Sequence, residues 1–296
     1  MRPQHAFMPA VNPWRYGTQH FIKSSTGNIL HSYHAFRKLS TEKIETWLDT
    51  LYEAGILIVL DSGAFSAYTL GDTIDIDEYA KFRIKYSKYI AYAFTLDVIG
   101  DPTQTYENYV YLKKTYPGVD FIPVWQVTAS LSEATRLLDA GASMLGIGGV
   151  ARCGDDTARK QFISKGLWLA HRYNIKLHAL GIGAIGILME HAVDFGDSTS
   201  WQWFSWYGRM WSPFDNWDSF CVSSGTRKRP EVRKEIDDFF AEPEREAFVN
   251  RVLTKLDLEL YDVFNDNELL ALYNLEAFIT ALDGRDCQKI ITKAIF

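Results

Sequence analysis

The sequence predicts an α/β protein, built as one (β/α)8 barrel of the TIM type with a helical C-terminal appendage. Short apolar runs alternate with amphipathic segments along the chain, which is typical of repeated βαβ units. Polar residues gather where the apolar runs end, as they do at the mouth of such a barrel. The 296 residues suffice for a barrel of about 250 residues, and 47% are hydrophobic, as in a folded globular chain. A doubly wound open sheet is the alternative, because sequence repetition does not report closure.

The candidate strands are short apolar runs that end in small or polar residues. They are residues 28–33, 57–61, 91–97, 121–126, 144–148, 176–180 and 193–195, with an eighth around 220–222. Helices are predicted between them, at residues 41–53, 79–88, 106–116, 131–140 and 157–173. The first of these helices gathers its apolar residues on one face, and Gly141 ends the fourth.

The sequence changes character near Pro230. From there to Phe296 the chain is rich in Glu, Asp and Leu, in a pattern typical of charged helices. We therefore expect the barrel to comprise residues 1–229. The helical appendage, packed on the barrel, would comprise residues 230–296.

The formal net charge of -6 provides no overall electrostatic case for nucleic-acid binding, although a local basic surface could still bind phosphate. The best local candidate is the run Arg227, Lys228 and Arg229, followed by Arg233 and Lys234. A solvated loop and helix start explains this run equally well.

The three cysteines, Cys153, Cys221 and Cys287, lie far apart and form no Cys-x-x-Cys pair. This spacing predicts neither a disulfide framework nor a zinc knuckle. The N-terminal residues lack the apolar core of a signal peptide, and no stretch approaches the length of a membrane span. We expect a soluble, cytoplasmic protein.

Two aspartates, Asp61 and Asp197, stand where an apolar run gives way to small and polar residues. Buried strands would deliver both carboxylates to the mouth of a barrel. Paired carboxylates suit chemistry at a sugar carbon, where one acts as nucleophile and the other transfers a proton. The alternative for each aspartate is a capping role at a turn or helix start.

Six segments in a fixed order resemble those of the queuine and archaeosine tRNA-guanine transglycosylases and their DNA-modifying relatives. The resemblance spans residues 57–200, the centre of the predicted barrel. The segments are Asp61-Ser62-Gly63-Ala64-Phe65, Leu96-Asp97, Pro123-Val124-Trp125-Gln126, Ile147-Gly148-Gly149-Val150, His178-Ala179-Leu180-Gly181-Ile182-Gly183 and Val193-Asp194-Phe195-Gly196-Asp197.

The resemblance implies a role for each matched carboxylate. Asp197 would attack C1′ of the target nucleotide, and Asp61 would be the general acid and base. Asp97 and Gln126 would read the base, the carboxylate facing its N–H groups and the amide its carbonyl. For Asp194, three residues before Asp197, we expect a structural role at the strand end.

The resemblance also implies a shape for the base pocket. Gly148 and Gly149 would let the base approach the backbone, with the Gly149 amide or the Val150 carbonyl supplying hydrogen bonds. A Gly-Gly pair after a strand is also a common phosphate cradle. Phe65 and Leu180 would sandwich the base, although either could equally be ordinary core.

Several features depart from the family's tRNA enzymes. No group of three cysteines and a histidine follows Asp197, so zinc is not predicted. Ala64 replaces a glycine, Ser66 replaces a glutamine, and the Pro-Thr-Arg segment after the nucleophile is absent. In its place stands an aromatic block that could stack on unpaired bases or pack in a core or interface. Its members are Trp201, Trp203, Phe204, Trp206, Tyr207 and Trp211.

These departures resemble the compact branch of the family whose target is guanine in DNA, found in phages and genomic modification clusters. The implied reaction exchanges that guanine for 7-cyano-7-deazaguanine or a related base, and it needs no cofactor. A second copy of the chain or a helper protein is the further partner that the resemblance implies. The alternatives are the same exchange on tRNA and a non-catalytic accessory subunit. A weaker one is an unrelated barrel enzyme that binds a phosphorylated small molecule at Gly148-Gly149.

Overall fold

The computed structural model describes residues 6–9, 28–150, 153, 155–182, 185–191, 193–214, 219–222 and 228–283. Its strands are β1 (Ala6–Pro9), β2 (Ile29–Ser32), β3 (Ile58–Asp61), β4 (Ile90–Phe94), β5 (Phe121–Ile122), β6 (Val124–Gln126), β7 (Met144–Gly148), β8 (Lys176–Ala179), β9 (Phe195–Ser198), β10 (Arg209–Trp211) and β11 (Ser219–Cys221).

Helices follow most of the strands, as the alternating pattern predicts. They are α1 (Tyr33–Phe36), α2 (Thr41–Glu53), α3 (Ala64–Leu70), α4 (Ile76–Lys85), α5 (Pro102–Thr115), α6 (Leu131–Asp139), α7 (Asp156–Tyr173), α8 (Ile185–Glu190), α9 (Ser200–Trp206), α10 (Pro230–Phe240), α11 (Pro243–Leu256), α12 (Leu260–Asn265) and α13 (Asn267–Asp283), with a 3-10 turn at Ser87–Tyr89. No helix in the described ranges is both long and apolar enough to cross a membrane.

Short polar side chains set where the helices begin. Ser130 and Glu133 form a reciprocal capping box at the start of α6, which satisfies two otherwise unpaired backbone N–H groups. Other helices begin at a single capping oxygen that accepts a backbone hydrogen bond. These caps are Ser40 for α2, Asp75 for α4, Asp101 for α5 and Asp155 for α7.

The strands from β1 to β9 form two parallel sheets. One has the order β1-β9-β8-β7-β6 and the other the order β2-β3-β4-β5. The sheets divide at Pro123, which separates β5 from β6 and has no N–H to donate. Among the described residues, no hydrogen-bonded pairing joins the two sheets into a closed barrel. The predicted α/β class with parallel strands is therefore confirmed, and barrel closure stays a prediction.

The predicted eighth strand around 220–222 was wrong as a member of the parallel sheets. Ser219–Cys221 instead pairs antiparallel with Arg209–Trp211. Phe220 is buried because its ring packs 4.3 Å from that of Phe239. The strand β1 was not predicted; it pairs in parallel with β9, with Met8 opposite Asp197. A four-residue segment that ends in proline has too little alternation to signal a strand.

Side chains from both parallel sheets meet in one apolar cluster. Its buried members are Leu30, Val59, Phe94, Ile122 and Val124, and the partly buried Tyr92, Met144, Leu180 and Phe195 pack against it. Side chains two positions apart on a strand share a face. Positions two residues beyond Val59, Val124 and Phe195 therefore face the same way, one step nearer the carboxyl ends of the strands. Asp61, Gln126 and Asp197 occupy them.

The turn from β3 into α3 requires a glycine at residue 63. Gly63 has φ +82°, and a Cβ there would lie 2.2 Å from Ser32 Oγ and 2.5 Å from His34 Cβ. Any other residue at position 63 would therefore be destabilised twice, by left-handed backbone strain and by a steric clash of its Cβ.

We expect Gly63→Ala to lower the free energy of unfolding by about 3 kcal/mol or more, since strain and overpacking each cost about 1–3 kcal/mol. Gly71→Ala is the matched control, because Gly71 has φ +66° but a Cβ added there would meet nothing within 4 Å. It should cost about 1 kcal/mol. Urea unfolding of both variants measures the difference, and equal losses would contradict the packing argument.

The chain divides into two compact units. The first contains both parallel sheets and the helices α1 to α7. The second contains α8, the β10–β11 pair and the helices α9 to α13. The break after Ser198 differs from the predicted start of the appendage at residue 230. The aromatic block that follows Asp197 is therefore part of the second unit.

The second unit is organised around the buried helix α13. The side chain of Asn274, which is fully buried, accepts a hydrogen bond from Trp211 N at 2.8 Å. It also donates to the carbonyls of Arg209 at 3.0 Å and Trp201 at 3.3 Å. One amide thus satisfies backbone groups of both α9 and β10, which would otherwise be costly to bury.

Candidate functional site

Asp61 lies at the carboxyl end of β3 as a half-buried side chain. Its Oδ2 accepts a hydrogen bond from the Gly63 amide at 2.8 Å, within the strand-to-helix turn. Burial, followed by the negative charge of Asp97 and then that of Asp197, raises the pKa of Asp61 to about 7. A carboxyl group with this pKa exchanges protons readily near neutral pH.

Asp97 lies three residues beyond β4 and is also half-buried. Its Oδ2 accepts a hydrogen bond from Gln126 Nε2 at 3.2 Å. Burial raises its pKa to about 6, although hydrogen bonds from Gln126 and Ser62 act in the opposite direction. Desolvation therefore outweighs the hydrogen bonds at this carboxyl group.

Gln126 has an amide that is already engaged by the protein. Nε2 donates to Val98 O at 2.8 Å as well as to Asp97, and Oε1 accepts from Gly100 N at 3.2 Å. The two backbone partners fix which end of the amide is nitrogen. In this structure Gln126 holds Asp97 and the 98–100 turn, rather than presenting a group for a base carbonyl.

Asp197 lies on β9 and is 5% exposed. Its Oδ1 is 2.9 Å from His178 Nε2, and its Oδ2 accepts the backbone N–H of Gly181 at 3.1 Å. The opposite nitrogen of the imidazole, Nδ1, is 3.0 Å from the Tyr92 hydroxyl. Each oxygen of the carboxylate thus has a defined partner.

The structure brings the three predicted carboxylates into one electrostatic site. The charges of both Asp97 and Asp197 act on Asp61. The site lies beyond the apolar cluster, at the carboxyl ends of the parallel strands, where α/β proteins bind their ligands. The structure thus brings Asp61, Asp97 and Asp197 together, and Gln126 contacts Asp97, while the roles assigned to these residues stay predictions.

Two functional candidates had no assigned role in the sequence analysis, His178 and Tyr92. His178 was part of a quoted motif, and Tyr92 was not singled out. The alternation of side chains along each strand could have identified both residues. His178 precedes Leu180 by two residues, and Tyr92 precedes Phe94 by two. Both therefore face the interior that the apolar cluster fills.

The backbone groups expected to contact the base differ in whether the protein already uses them. Gly148 ends β7, and Gly149 follows it with φ +80°. Val150 is buried, and its carbonyl, expected to bind the base, already accepts from Cys153 N and Arg159 Nε, both at 3.2 Å.

The two side chains expected to sandwich the base differ in exposure. Phe65 lies on α3, directly after the Asp61 turn, and is 53% exposed. Leu180 is half-buried against the apolar cluster. Phe65 is therefore more than half exposed, whereas Leu180 packs against the core.

The predicted nucleic-acid contacts lie in the second unit and differ among themselves. Trp201 is 1% exposed and cannot present its ring to a base, so its assignment was wrong. Trp203 is 55% exposed, and its ring lies 4.7 Å from that of Tyr207. Lys228 and Arg229 are exposed, and Arg227 lies outside the described residues.

Asp194 has the structural role expected for it. Its Oδ2 accepts a hydrogen bond from Leu177 N at 2.9 Å, which links the start of β9 to β8. No group of three or more His, Cys, Asp or Glu side chains in the described ranges is arranged to hold a metal ion. Cys287 lies outside those ranges.

No family model and no curated protein matches the chain. The Amycolatopsis orientalis BexX/CysO complex is similar over 67% of this chain and 81% of that one, with 15% identity and a TM-score of 0.46. A putative isomerase from Sinorhizobium meliloti (open-loop conformation) covers 65% of this chain with 10% identity and a TM-score of 0.42. A putative dehydratase from Mesorhizobium loti covers 66% with 14% identity and a TM-score of 0.42.

The chain spans about half the length of the last two structures, covering 50% and 55% of them. At these TM-scores and identities, the similarities decide neither the fold nor the function of the chain. The functional argument therefore rests on the geometry of the carboxylate site itself.

Proposed function

We propose that the chain is an enzyme, a pentosyltransferase that exchanges guanine in DNA for a 7-deazaguanine base through a covalent aspartyl-sugar intermediate. One observation carries the proposal. Asp197 is anchored through both oxygens, while Asp61, which feels its charge, has a pKa of about 7. A fixed nucleophile beside a carboxyl group that titrates near neutrality suits two-step transfer at a sugar carbon.

The scaffold of this enzyme is a (β/α)8 barrel. β5 and β6 follow each other across Pro123 and act as one strand of the barrel. β1, already paired with β9, also contacts β2. With β5 and β6 counted as one strand, the strand order then runs around a ring of eight strands. The apolar cluster contains side chains from both sheets, as the interior of a barrel would. Active sites of such barrels lie at the carboxyl ends of the strands.

The first step displaces guanine. An Asp197 oxygen attacks C1′ of the nucleotide, and the bond between C1′ and guanine N9 breaks as the C1′–O bond forms. Asp61 donates its proton to the departing base, so guanine leaves neutral and Asp61 becomes a carboxylate. The sugar is then held as an ester of Asp197.

The second step inserts the new base and restores the enzyme. The Asp61 carboxylate takes the N9 proton of the incoming 7-deazaguanine, whose nitrogen attacks C1′. The C1′–O bond breaks, and Asp197 leaves as a carboxylate. Two displacements retain the stereochemistry at C1′.

Base selection falls to Asp97. With a pKa of about 6, its carboxylate is charged at neutral pH and can accept two N–H groups of a guanine-like edge. Gln126 acts by holding that carboxylate in place. Phe65 supplies an aromatic face beside the site, and Leu180 an apolar one.

We expect Asp97→Ala to lower discrimination between guanine-type and adenine-type bases by about 10-fold or more. Without the carboxylate, the N–H groups of a guanine-type base would be left unpaired, which costs about 1–3 kcal/mol for each group. Competition between bases in the exchange reaction measures this discrimination. Asp101→Ala is the control, because Asp101 is an exposed helix cap. Unchanged base preference would remove Asp97 from the pocket.

DNA is the favoured substrate because the chain lacks the cysteine cluster and the segment after the nucleophile that mark the family's tRNA enzymes. The target guanine must leave the base stack, which costs a few kcal/mol and is easiest in single strands. Exposed Trp203 and Tyr207 suit unpaired bases, and Lys228 and Arg229 suit phosphates.

Trapping of the intermediate tests the proposal. Guanine-containing single-stranded DNA, or tRNA, is incubated with the protein without a second base, denatured and run on a gel. A covalent adduct with DNA that is absent from Asp197→Asn is expected. An adduct with tRNA alone would move the substrate to tRNA, and an adduct that persists in the variant would reject Asp197 as nucleophile.

A further inference from the structure

His178 is a completely buried imidazole beside Asp197. It is 0% exposed, and its ring packs 4.9 Å from the ring of Phe94. Both ring nitrogens nevertheless have polar partners, Asp197 at Nε2 and Tyr92 at Nδ1. A buried histidine with both nitrogens engaged has a fixed orientation.

The hydrogen-bond partners determine the tautomer. The Asp197 carboxylate can only accept, so Nε2 must carry the hydrogen. In the neutral imidazole, Nδ1 then has a lone pair, which accepts the hydroxyl hydrogen of Tyr92. Burial and the charge of Asp197 both raise the pKa of Tyr92, so the phenol keeps that hydrogen.

We propose that His178, oriented by Tyr92, is a positioning residue that holds the nucleophilic oxygen of Asp197 in place and stabilises Asp197 when it leaves the sugar. This inference rests on the proposed function and adds a directed chain of hydrogen bonds, from the Tyr92 hydroxyl to His178 and from His178 to Asp197. The chain crosses the interior from β4 in one sheet to β8 and β9 in the other.

The arrangement has a specific chemical consequence. In the covalent ester Asp197 has lost its charge, and that charge returns when the C1′–O bond breaks. A donor at Oδ1 therefore stabilises the carboxylate more than the ester. Loss of the donor should slow the second step more than it weakens the binding of either base.

Four variants separate positioning from a merely structural role. His178→Phe removes both hydrogen bonds but keeps a ring, and His178→Gln places an amide N–H near the former Nε2. Tyr92→Phe removes only the hydroxyl that contacts Nδ1 and helps to orient the ring. Leu177→Val, next to His178 on β8 but on the opposite face, controls for packing.

We expect His178→Phe to lower kcat by roughly 10–100-fold, as is common for groups that orient a reacting side chain, with KM changed by less than about threefold. The adduct should persist longer after the second base is added. His178→Gln should regain much of the rate. A rate for His178→Phe equal to that of wild type or of Leu177→Val, or no gain in His178→Gln, would overturn the inference.

A spectroscopic readout tests the same arrangement without turnover. In histidine-labelled wild-type protein, 15N NMR should place the hydrogen of His178 on Nε2, and Tyr92→Phe should shift the Nδ1 resonance while the hydrogen stays on Nε2. A wild-type signal with the hydrogen on Nδ1 would overturn the inference whether or not any base is exchanged. Failure of wild type to exchange any base, with the Nε2–H signal present, would instead count against the proposed function.

Discussion

Asp197→Asn should abolish formation of the covalent intermediate and lower base exchange by at least about four orders of magnitude, as loss of a nucleophile does in other enzymes. The amide keeps the shape of the carboxylate but lacks its charge. Base binding should remain mostly intact, because Asp97 and the other pocket residues are untouched. Single-turnover exchange and calorimetric titration of the base measure the two properties.

Asp194→Asn is the matched control for this variant. Asp194 lies three residues before Asp197, and its carboxylate accepts a backbone hydrogen bond that the asparagine carbonyl can also accept. Exchange should stay near the wild-type rate in this control. Wild-type-like turnover in Asp197→Asn, or equal losses in both variants, would contradict the assignment of the nucleophile.

Asp61→Asn should lower exchange by roughly two to four orders of magnitude, the usual contribution of a positioned general acid and base. The wild-type rate should have a maximum near pH 7, because Asp61 must be protonated for the first step and ionised for the second. The residual rate of the variant should lose this dependence. A pH–rate profile of the two proteins measures it, and an unchanged maximum in the variant would reject Asp61.

Stability measurements provide the control for Asp61→Asn. The pKa of Asp61 is about 7 in the folded protein and near 4 in the unfolded chain, so the folded state binds its proton more tightly. This side chain therefore lowers the stability of wild type as pH rises from about 4 to 7, and keeps it lower above 7. The variant should be more stable than wild type at about pH 8 but not at about pH 4, which shows that lost activity is not lost folding.

The strands that the sequence predicts best are those with apolar runs bounded by clear breaks. Residues 144–148 match β7 in full, and the aspartates at the end of β3 and on β9 interact electrostatically. The strand predicted at 193–195 is observed at Phe195–Ser198, because Asp194 uses its side chain to bond Leu177 before the ladder begins. β1 was not predicted because Pro9 interrupts its short apolar run.

The parts of the site that escaped prediction depend on contacts between distant strands. Tyr92 and His178 are 86 residues apart and meet only through the shared interior. The hydrogen bonds of the Gln126 amide to Val98 and Gly100 depend on the backbone path of the 98–100 turn. No pattern in the sequence predicts that path. The conflict between Trp201 and Trp203 could have been predicted from the sequence. Residues two apart on a helix lie on nearly opposite faces, so these two rings could not both be exposed to bases.

Exchange of isotopically labelled guanine into single-stranded DNA and into tRNA, run side by side, tests the central claim most directly. The Asp197→Ala protein serves as the blank. We predict label in DNA, none in tRNA and none with the variant. Label in tRNA alone would establish the same chemistry on a different substrate. Label in neither nucleic acid would contradict the claim that this chain is itself a transglycosylase, and would favour an accessory subunit.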